Sequence, residues 1–140
     1  MKKTLFLCLI ALSVLACKSN DDDTNTTNDS FVPPNATIKI EDLQQTPIEG
    51  TVVYTFKAQT WNTNGNDPDF ADRRTTTNAQ GETSIELDFS GLFGSGNTER
   101  FYFSIHYRLN NEERTQFVSL VFMEGEDKSA TITLPFVIAP

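Results

Sequence analysis

The sequence has few of the side chains on which disulfides, metal sites and nucleophilic catalysis depend. Among 140 residues it has two cysteines, Cys8 and Cys17, and one histidine, His106. No cysteine follows residue 17, so the rest of the chain cannot form a disulfide and must be stabilised by packing. The same scarcity excludes Cys/His catalysis and a multi-histidine zinc site there. No serine lies in a nucleophile-elbow pattern, so we predict a protein that is not an enzyme.

Positive charge is also scarce. The chain carries 19 Asp and Glu against 11 Lys and Arg, a formal net charge of −8. No basic stretch is available to neutralise phosphate groups, so we expect no nucleic-acid partner.

The chain lacks an apolar run long enough for a membrane-spanning helix, which needs about 20 residues. Its apolar stretch, residues 5–16, follows the basic start Lys2-Lys3 and ends in Ser13-Val14-Leu15-Ala16-Cys17. The stretch predicts a secretory signal over residues 1–16. Its end resembles the lipobox of bacterial lipoproteins, which implies that Cys17 is lipidated and anchors the chain in a membrane. The alternative is ordinary cleavage near Ala16, leaving Cys17 as an exposed thiol.

Residues 18–30 are all polar and include the acidic run Asp21-Asp22-Asp23. They cannot bury apolar surface, so we predict that residues 17–30 form a lipidated, disordered tether. The acidic run resembles the signal that exports lipoproteins of the Bacteroidota to the outer face of the outer membrane. It implies an outer-membrane, cell-surface location, with a plain acidic linker as the alternative.

Residues 31–140 show the alternation of period two that is typical of strands, without a helical apolar period. Turn residues separate the alternating segments, as at Ala79-Gln80-Gly81 and Asn110-Asn111. We predict an all-β domain over residues 31–140, an antiparallel Greek-key β-sandwich of about seven strands. The expected strands are 37–41, 51–60, 72–77, 83–89, 101–107, 115–123 and 130–136.

Three expectations concern which strand faces are covered. Alternation in the second strand places Val52, Tyr54 and Phe56 on one face and Trp61 on the other, where Trp61 would be exposed. The nearly continuous apolar character of residues 115–123 predicts a strand covered on both sides. Residues 132–138 close the chain and contain Pro135, which favours a position at a sheet edge.

Two stretches resemble a known sandwich family. Ile38-Lys39-Ile40 is followed by Pro47-Ile48-Glu49-Gly50, and Thr77-Asn78-Ala79-Gln80-Gly81 precedes an alternating strand. These stretches are similar to the transthyretin-like, carboxypeptidase-regulatory-like sandwich; an immunoglobulin-like sandwich is the other architecture that fits. The resemblance covers residues 38 to about 136 and implies a binding, spacer or accessory module without catalytic residues. In the turn, Gly81 would supply a positive φ and Asn78 would bond the turn backbone.

The Asn- and Asp-rich segment 61–72 contains the candidate site residues. Oxygen-bearing side chains suit a hard cation such as calcium, although the EF-hand spacing is absent and a polar turn explains the same composition. Trp61 and Tyr102 could stack on a sugar ring, near Phe70, while Asn and Asp side chains bond the hydroxyls; core packing is the alternative for Trp61. The predicted calcium ligands are Asn64, Asn66, Asp67, Asp69 and Asp72, and the predicted ligand-binding residues are Trp61, Asn62, Asn64, Phe70 and Tyr102.

These observations predict a non-catalytic binding or accessory module for an extracellular glycan or an envelope protein, with no cofactor other than the calcium considered above. The alternatives are a spacer lipoprotein without a dedicated ligand, a calcium-stabilised adhesin-like module, and a donor of an edge strand in assemblies. A binding module should expose aromatic residues together around Trp61 and Phe70, whereas a spacer should bury both.

Overall fold

The structure is a computed structural model that describes residues 31–89, 91–93 and 97–137. The predicted signal peptide and tether, with Cys17, lie outside these residues, as does Gly94-Ser95-Gly96. Within the described ranges no helix has both the length and the apolar character needed to cross a membrane.

Within the described residues seven strands form two sheets, which confirms the predicted all-β sandwich. The strands are β1 (Asn35–Glu41), β2 (Val52–Lys57), β3 (Arg73–Thr76), β4 (Glu82–Glu86), β5 (Glu99–Leu109), β6 (Glu112–Phe122) and β7 (Asp127–Thr133). A three-stranded sheet has the order β4-β1-β7, and a four-stranded sheet has the order β3-β2-β5-β6. Between β2 and β3 the chain forms the helix α1 (Ala58–Asn64) and a 3-10 helix (Pro68–Phe70).

One strand pair departs from the antiparallel arrangement that was predicted. β1 and β7 are parallel, with Ile38 opposite Ala130, whereas the other pairs between strands are antiparallel. The connections β1–β2, β3–β4, β4–β5 and β6–β7 each cross between the sheets. These crossings bring the last strand back beside the first in the same direction.

The core is formed by alternate residues of both sheets. Ile38 and Ile40 of β1 face Phe101, Phe103 and Ile105 of β5, and all five are fully buried. The ring of Phe101 lies 5.7–6.0 Å from those of Phe89, Phe93 and Phe122. Such ring pairs contribute about 0.5–1.5 kcal/mol each beyond the area they bury. This aromatic packing stabilises a described chain that has no cysteine.

The prediction for residues 51–60 is wrong in two respects. The strand ends at Lys57, and α1 occupies residues that were expected to continue it. Val53 and Thr55 face the core, so Tyr54 and Phe56 lie on the outer face of the four-stranded sheet. The outward residues Val52, Tyr54 and Phe56 are more apolar than the inward Val53, Thr55 and Lys57, so alternation in this strand indicates the wrong face as the inward one.

The prediction that residues 115–123 are covered on both sides is also wrong. β6 is an edge strand, and Phe117 on its outer face is 56% exposed. The terminal strand does lie at an edge, as predicted, because β7 ends the three-stranded sheet. β7 stops at Thr133, so Pro135 follows the strand and takes no part in its ladder.

Two predicted turns are confirmed in detail. Asn110 and Asn111 have φ values of 54° and 66° and connect β5 to β6, as a two-residue hairpin turn requires. Gly81 has φ 71°, and Asn78 Oδ1 accepts the N–H groups of Gln80 and Glu82 at 2.9 and 3.0 Å.

Candidate binding surface

The two outer faces of the sandwich differ in chemistry. On the three-stranded sheet the outward residues are polar: Thr37, Lys39, Glu41, Glu82, Ser84, Glu86, Ser129, Thr131 and Thr133. On the four-stranded sheet the outward positions include Tyr54, Phe56, Tyr102 and Phe117. Aromatic rings are therefore concentrated outside the core on one sheet; Phe56 among them is fully buried, and Phe117 is 56% exposed.

Trp61 is the centre of this face. Its ring is parallel to that of Tyr102, with centroids 4.4 Å apart and an interplanar angle of 5°. Phe56 meets it edge-on at 5.5 Å, and Phe117 lies tilted at 4.9 Å. We call Phe56, Trp61, Tyr102 and Phe117 the outer aromatic cluster. It joins β2, α1, β5 and β6.

The helix α1 brings Trp61 back over the sheet. Had β2 continued as a strand, residue 61 would have run on past the sheet, whereas a helical turn folds it back. The helix ends at Gly65, whose N–H donates to the Trp61 carbonyl at 2.8 Å and whose φ is 65°. Asp72 Oδ2 accepts the Lys57 N–H at 2.8 Å, at the junction of strand and helix.

Two further hydrogen bonds hold the segment after α1 against the same sheet. His106 Nε2 donates to the Asn66 carbonyl at 3.0 Å, and the Arg74 guanidinium donates to the Pro68 carbonyl at 2.6 Å. Because a carbonyl can only accept, the first bond places a proton on Nε2 of His106. The ring of His106 also lies edge-on to Tyr54 at 5.4 Å.

The structure brings some of the predicted ligand-binding residues together and leaves others apart. Trp61 and Tyr102 are in contact and partly buried, so Trp61 is not the freely exposed ring that strand alternation predicted. Asn62 is exposed and Asn64 partly exposed on α1, while Phe70 on the 3-10 helix is 53% exposed. Tyr102 covers one face of Trp61. At 56% exposure, Phe117 has the most exposed side chain of the cluster.

Sequence reasoning missed Phe117. It treated residues 115–123 as one apolar run, and so did not separate the two faces of the strand. The alternation was nevertheless present: Thr115, Phe117 and Ser119 face outward, and Val118 and Leu120 pack against the core. The sequence signal that was available is the single aromatic residue, Phe117, between the hydroxyl residues Thr115 and Ser119 on one face, which is typical of an exposed face.

The predicted calcium ligands have local structural roles. Asp67 Oδ1 accepts the Asp69 N–H at 3.0 Å and caps the 3-10 helix. Asp72 Oδ1 forms an ion pair with Lys57 Nζ at 2.9 Å, in addition to its bond with the backbone of Lys57. Among the residues that the structure describes, no group of three or more His, Cys, Asp or Glu side chains could hold a metal ion. Calcium binding by this segment stays a prediction.

An open depression of about 400 Å³ lies at the hairpin end of the same sheet. Its lining residues are Pro68, His106, Tyr107, Arg108 and Glu113. Arg108 and Glu113 form an exposed ion pair across β5 and β6 at 3.1 Å. One cation and one anion thus stand beside two aromatic rings. The depression is suited to polar contacts next to the apolar cluster.

No protein-family model matches the chain, and no curated protein matches its sequence. The likeness of its first residues to bacterial lipoproteins, and of its strands to the transthyretin-like sandwich, therefore rests on the quoted motifs alone.

Proposed function

We propose that the protein is a non-catalytic, lipid-anchored lipoprotein of the outer membrane that displays a binding or accessory module at the cell surface. Its binding surface is the outer aromatic cluster, and its ligand is an extracellular glycan or a partner protein of the envelope. The observation that carries this proposal is the exposed Phe117 ring, set on Trp61 and Tyr102 on the outer face of the four-stranded sheet, whereas the outer face of the other sheet is polar.

The path of the chain into the sandwich supports this role. Val32 donates to Glu124 Oε1 at 3.0 Å and accepts from the Gly125 N–H at 2.8 Å, so the described chain begins beside the β6–β7 turn. The Asn110-Asn111 turn lies at the other end of β6, whose 11 residues span about 35 Å. A tether from Cys17 would therefore join the sandwich at the end opposite the hairpin and the depression.

The anchor is tested by protease shaving of intact producing cells, with a Cys17→Ala variant beside the unchanged protein. We expect cleavage of the domain on intact cells and release of the variant into the medium. Protection of the domain until the outer membrane is opened would contradict the surface location.

The binding surface is tested by comparing Phe117→Ser with Leu43→Ser, which removes an equally exposed apolar side chain (61% for Leu43) away from the cluster. Each full-length protein is applied to immobilised glycans and to purified envelope proteins. We expect Phe117→Ser alone to abolish binding. Retained binding in both variants would place the binding surface elsewhere.

A spacer without a dedicated ligand is the alternative, and one observation favours it. Phe56, Tyr102 and Phe117 lie around Trp61, as in a packing contact. A spacer predicts that no glycan or envelope protein binds either variant or the unchanged chain. A calcium-stabilised module, the second alternative, predicts that the unfolding temperature rises with calcium concentration and that Asp69→Asn removes the rise.

A further inference from the structure

β6 has an unpaired edge whose backbone direction can be worked out from the hairpin. In a two-residue hairpin the residues that flank the turn, here Leu109 and Glu112, exchange hydrogen bonds with each other. The alternate residues Glu113, Thr115, Phe117 and Ser119 therefore direct their N–H and C=O groups away from β5. No strand in the described part of the chain pairs with that side.

A contact near the end of β6 agrees with this alternation. Val121, the next residue in the outward series, has its carbonyl bonded by Lys128 Nζ of β7 at 2.5 Å. The ammonium group of Lys128 is also 2.9 Å from Glu126. A lysine placed on an edge in this way blocks further strand pairing. It protects the edge at Val121, and among the outward residues 113, 115, 117 and 119 only Glu113 is charged.

The other sheet edges are less suited to pairing. β3 and β4 have four and five residues, and β7, with seven, carries Asp127 and Lys128 at its start. β6 has 11 residues, its charged residues Glu112, Glu113 and Arg114 are confined to its start, and it carries an exposed phenylalanine in its middle. Short strands and charged residues are the usual protection of an edge, whereas a long edge with an exposed apolar residue is a template for another strand.

We infer that β6 pairs, antiparallel, with β6 of a second copy of this chain, about a two-fold axis at Gln116. In this register Thr115 lies opposite the second copy's Phe117, and Glu113 lies opposite its Ser119. Every outward residue from 113 to 119 is used, and the carbonyl held by Lys128 is not needed. No two like charges face each other, although Glu112 and Glu113 are both in the strand.

The pairing also accounts for the exposure of Phe117. Across an antiparallel pair, diagonal neighbours on one face lie about 7–8 Å apart, which aromatic side chains can bridge. The two Phe117 rings are diagonal neighbours in this register, so each covers part of the other. The two outer aromatic clusters then lie on the same side of one continuous sheet.

Self-association goes beyond the proposed binding role and does not require the lipid anchor. A net charge of −8 on each copy opposes association in dilute solution and at low salt. Two copies held on one membrane would meet at a much higher effective concentration. We therefore expect a weak dimer in solution and a well-populated one on the cell.

The test is disulfide cross-linking of the full-length protein in producing cells, with a mild oxidant added. Residues at the axis form a non-hydrogen-bonded pair with Cα atoms about 4.5 Å apart, within disulfide range. We expect Gln116→Cys to give a cross-linked dimer on a non-reducing gel. Ser119→Cys should not, because two copies of residue 119 are about 20 Å apart along the strands. The chain without an added cysteine is the control, because it shows any cross-link that forms through Cys8 or Cys17.

A second pair of variants tests whether the edge itself makes the contact. Phe117→Lys, added to Gln116→Cys, should abolish the cross-link, and Thr131→Lys on the polar face should leave it intact. Fluorescence of Trp61 checks that each variant is folded. Three outcomes would overturn the inference. They are equal cross-linking at positions 116 and 119, no cross-link at position 116, and a position-116 cross-link to another protein without any dimer of this chain. Repeating the experiment with Cys17→Ala separates this result from the fate of the anchor.

Discussion

At the scale of single residues, the turn before β4 depends on one side-chain acceptor and on one glycine that is packed against other backbone. Asn78 accepts two backbone N–H groups, and Gly81 is buried with a positive φ. A Cβ atom at Gly81 would collide with the backbone carbonyl of Ile40 and would lie 2.9 Å from the nitrogen of Ile48. The turn therefore sits directly against the end of β1.

Substitutions in this turn should differ in cost. We expect Asn78→Ala to lower the free energy of unfolding by about 1 kcal/mol, because two turn N–H groups lose their acceptor. Gly81→Ala should cost more, about 2–3 kcal/mol, because backbone strain and a clash with the backbone add together. Urea denaturation measures both, with the exposed Gln80→Ala as control. A smaller loss for Gly81→Ala than for Asn78→Ala would contradict the close approach.

Glu126 gives a prediction about pH. The Met123 N–H, which donates to Glu126 Oε2 at 2.9 Å, and then Lys128 hold the pKa of this carboxyl below its ordinary value. A lowered pKa means that Glu126 stabilises the folded state above the pKa of an unfolded glutamate, and that this contribution is lost as pH falls through the folded value.

The shift can be measured by NMR titration of the Glu126 carboxyl. Lys128→Met should raise its pKa part of the way to the ordinary value, because the backbone N–H of Met123 remains. An unchanged pKa in this variant would show that Lys128 does not act on Glu126.

At the scale of secondary-structure elements, α1 depends on tertiary contact. It has seven residues, none of them fully buried, and no side chain caps its N-terminus. Helices of this length are marginal in isolation. The stack of Trp61 on Tyr102 and the bond between His106 and Asn66 hold α1 and its following segment on the sheet.

Loss of the ring beneath Trp61 should therefore loosen α1. We expect Tyr102→Ala to shift the emission of the single tryptophan to longer wavelength and to lower stability by about 2–3 kcal/mol. Phe70→Ala, which removes an exposed ring, is the control and should leave both nearly unchanged. If Trp61 emission stays the same in Tyr102→Ala, the stack does not hold the helix.

At the scale of the whole molecule, one aromatic core stabilises a described chain that contains no cysteine. Phe101 contacts Phe89 and Phe93 of the β4–β5 connection and Phe122 of β6. Both sheets contribute residues to this single core, so we expect it to unfold cooperatively.

Truncation of the central ring tests this cooperativity. Phe101→Ala should cost about 3–5 kcal/mol, a large part of a total stability of about 5–15 kcal/mol. Far-UV circular dichroism and Trp61 fluorescence should follow coincident denaturation curves with a lower midpoint. Two separate transitions would mean that the outer aromatic cluster unfolds independently of the core.

Several features of the fold could be predicted because local chemistry dictates them. The turns at Asn78 and Asn110 need residues that tolerate a positive φ or bond their own backbone, and such residues are visible in the sequence. Alternation, together with the apolar run at 115–123 and a short segment near 72–77, predicted a strand near each of the seven observed strands, although several bounds differ. Trp61 and Tyr102 were recognised as surface candidates one by one, but no sequence signal showed that they stack.

By itself, the sequence determined the all-β class, the positions of the strands and turns, and a core without disulfides, because these follow from side-chain periodicity and from backbone preferences at single residues. Tertiary structure decided which face of β2 is inward, that β1 and β7 run parallel, that residues 58–64 are helical, and that Phe117 is exposed beside Trp61. Each of these depends on which distant segment covers a given face. The apolar outward face of β2 shows this, because nothing in the local sequence records that α1 covers it rather than the other sheet.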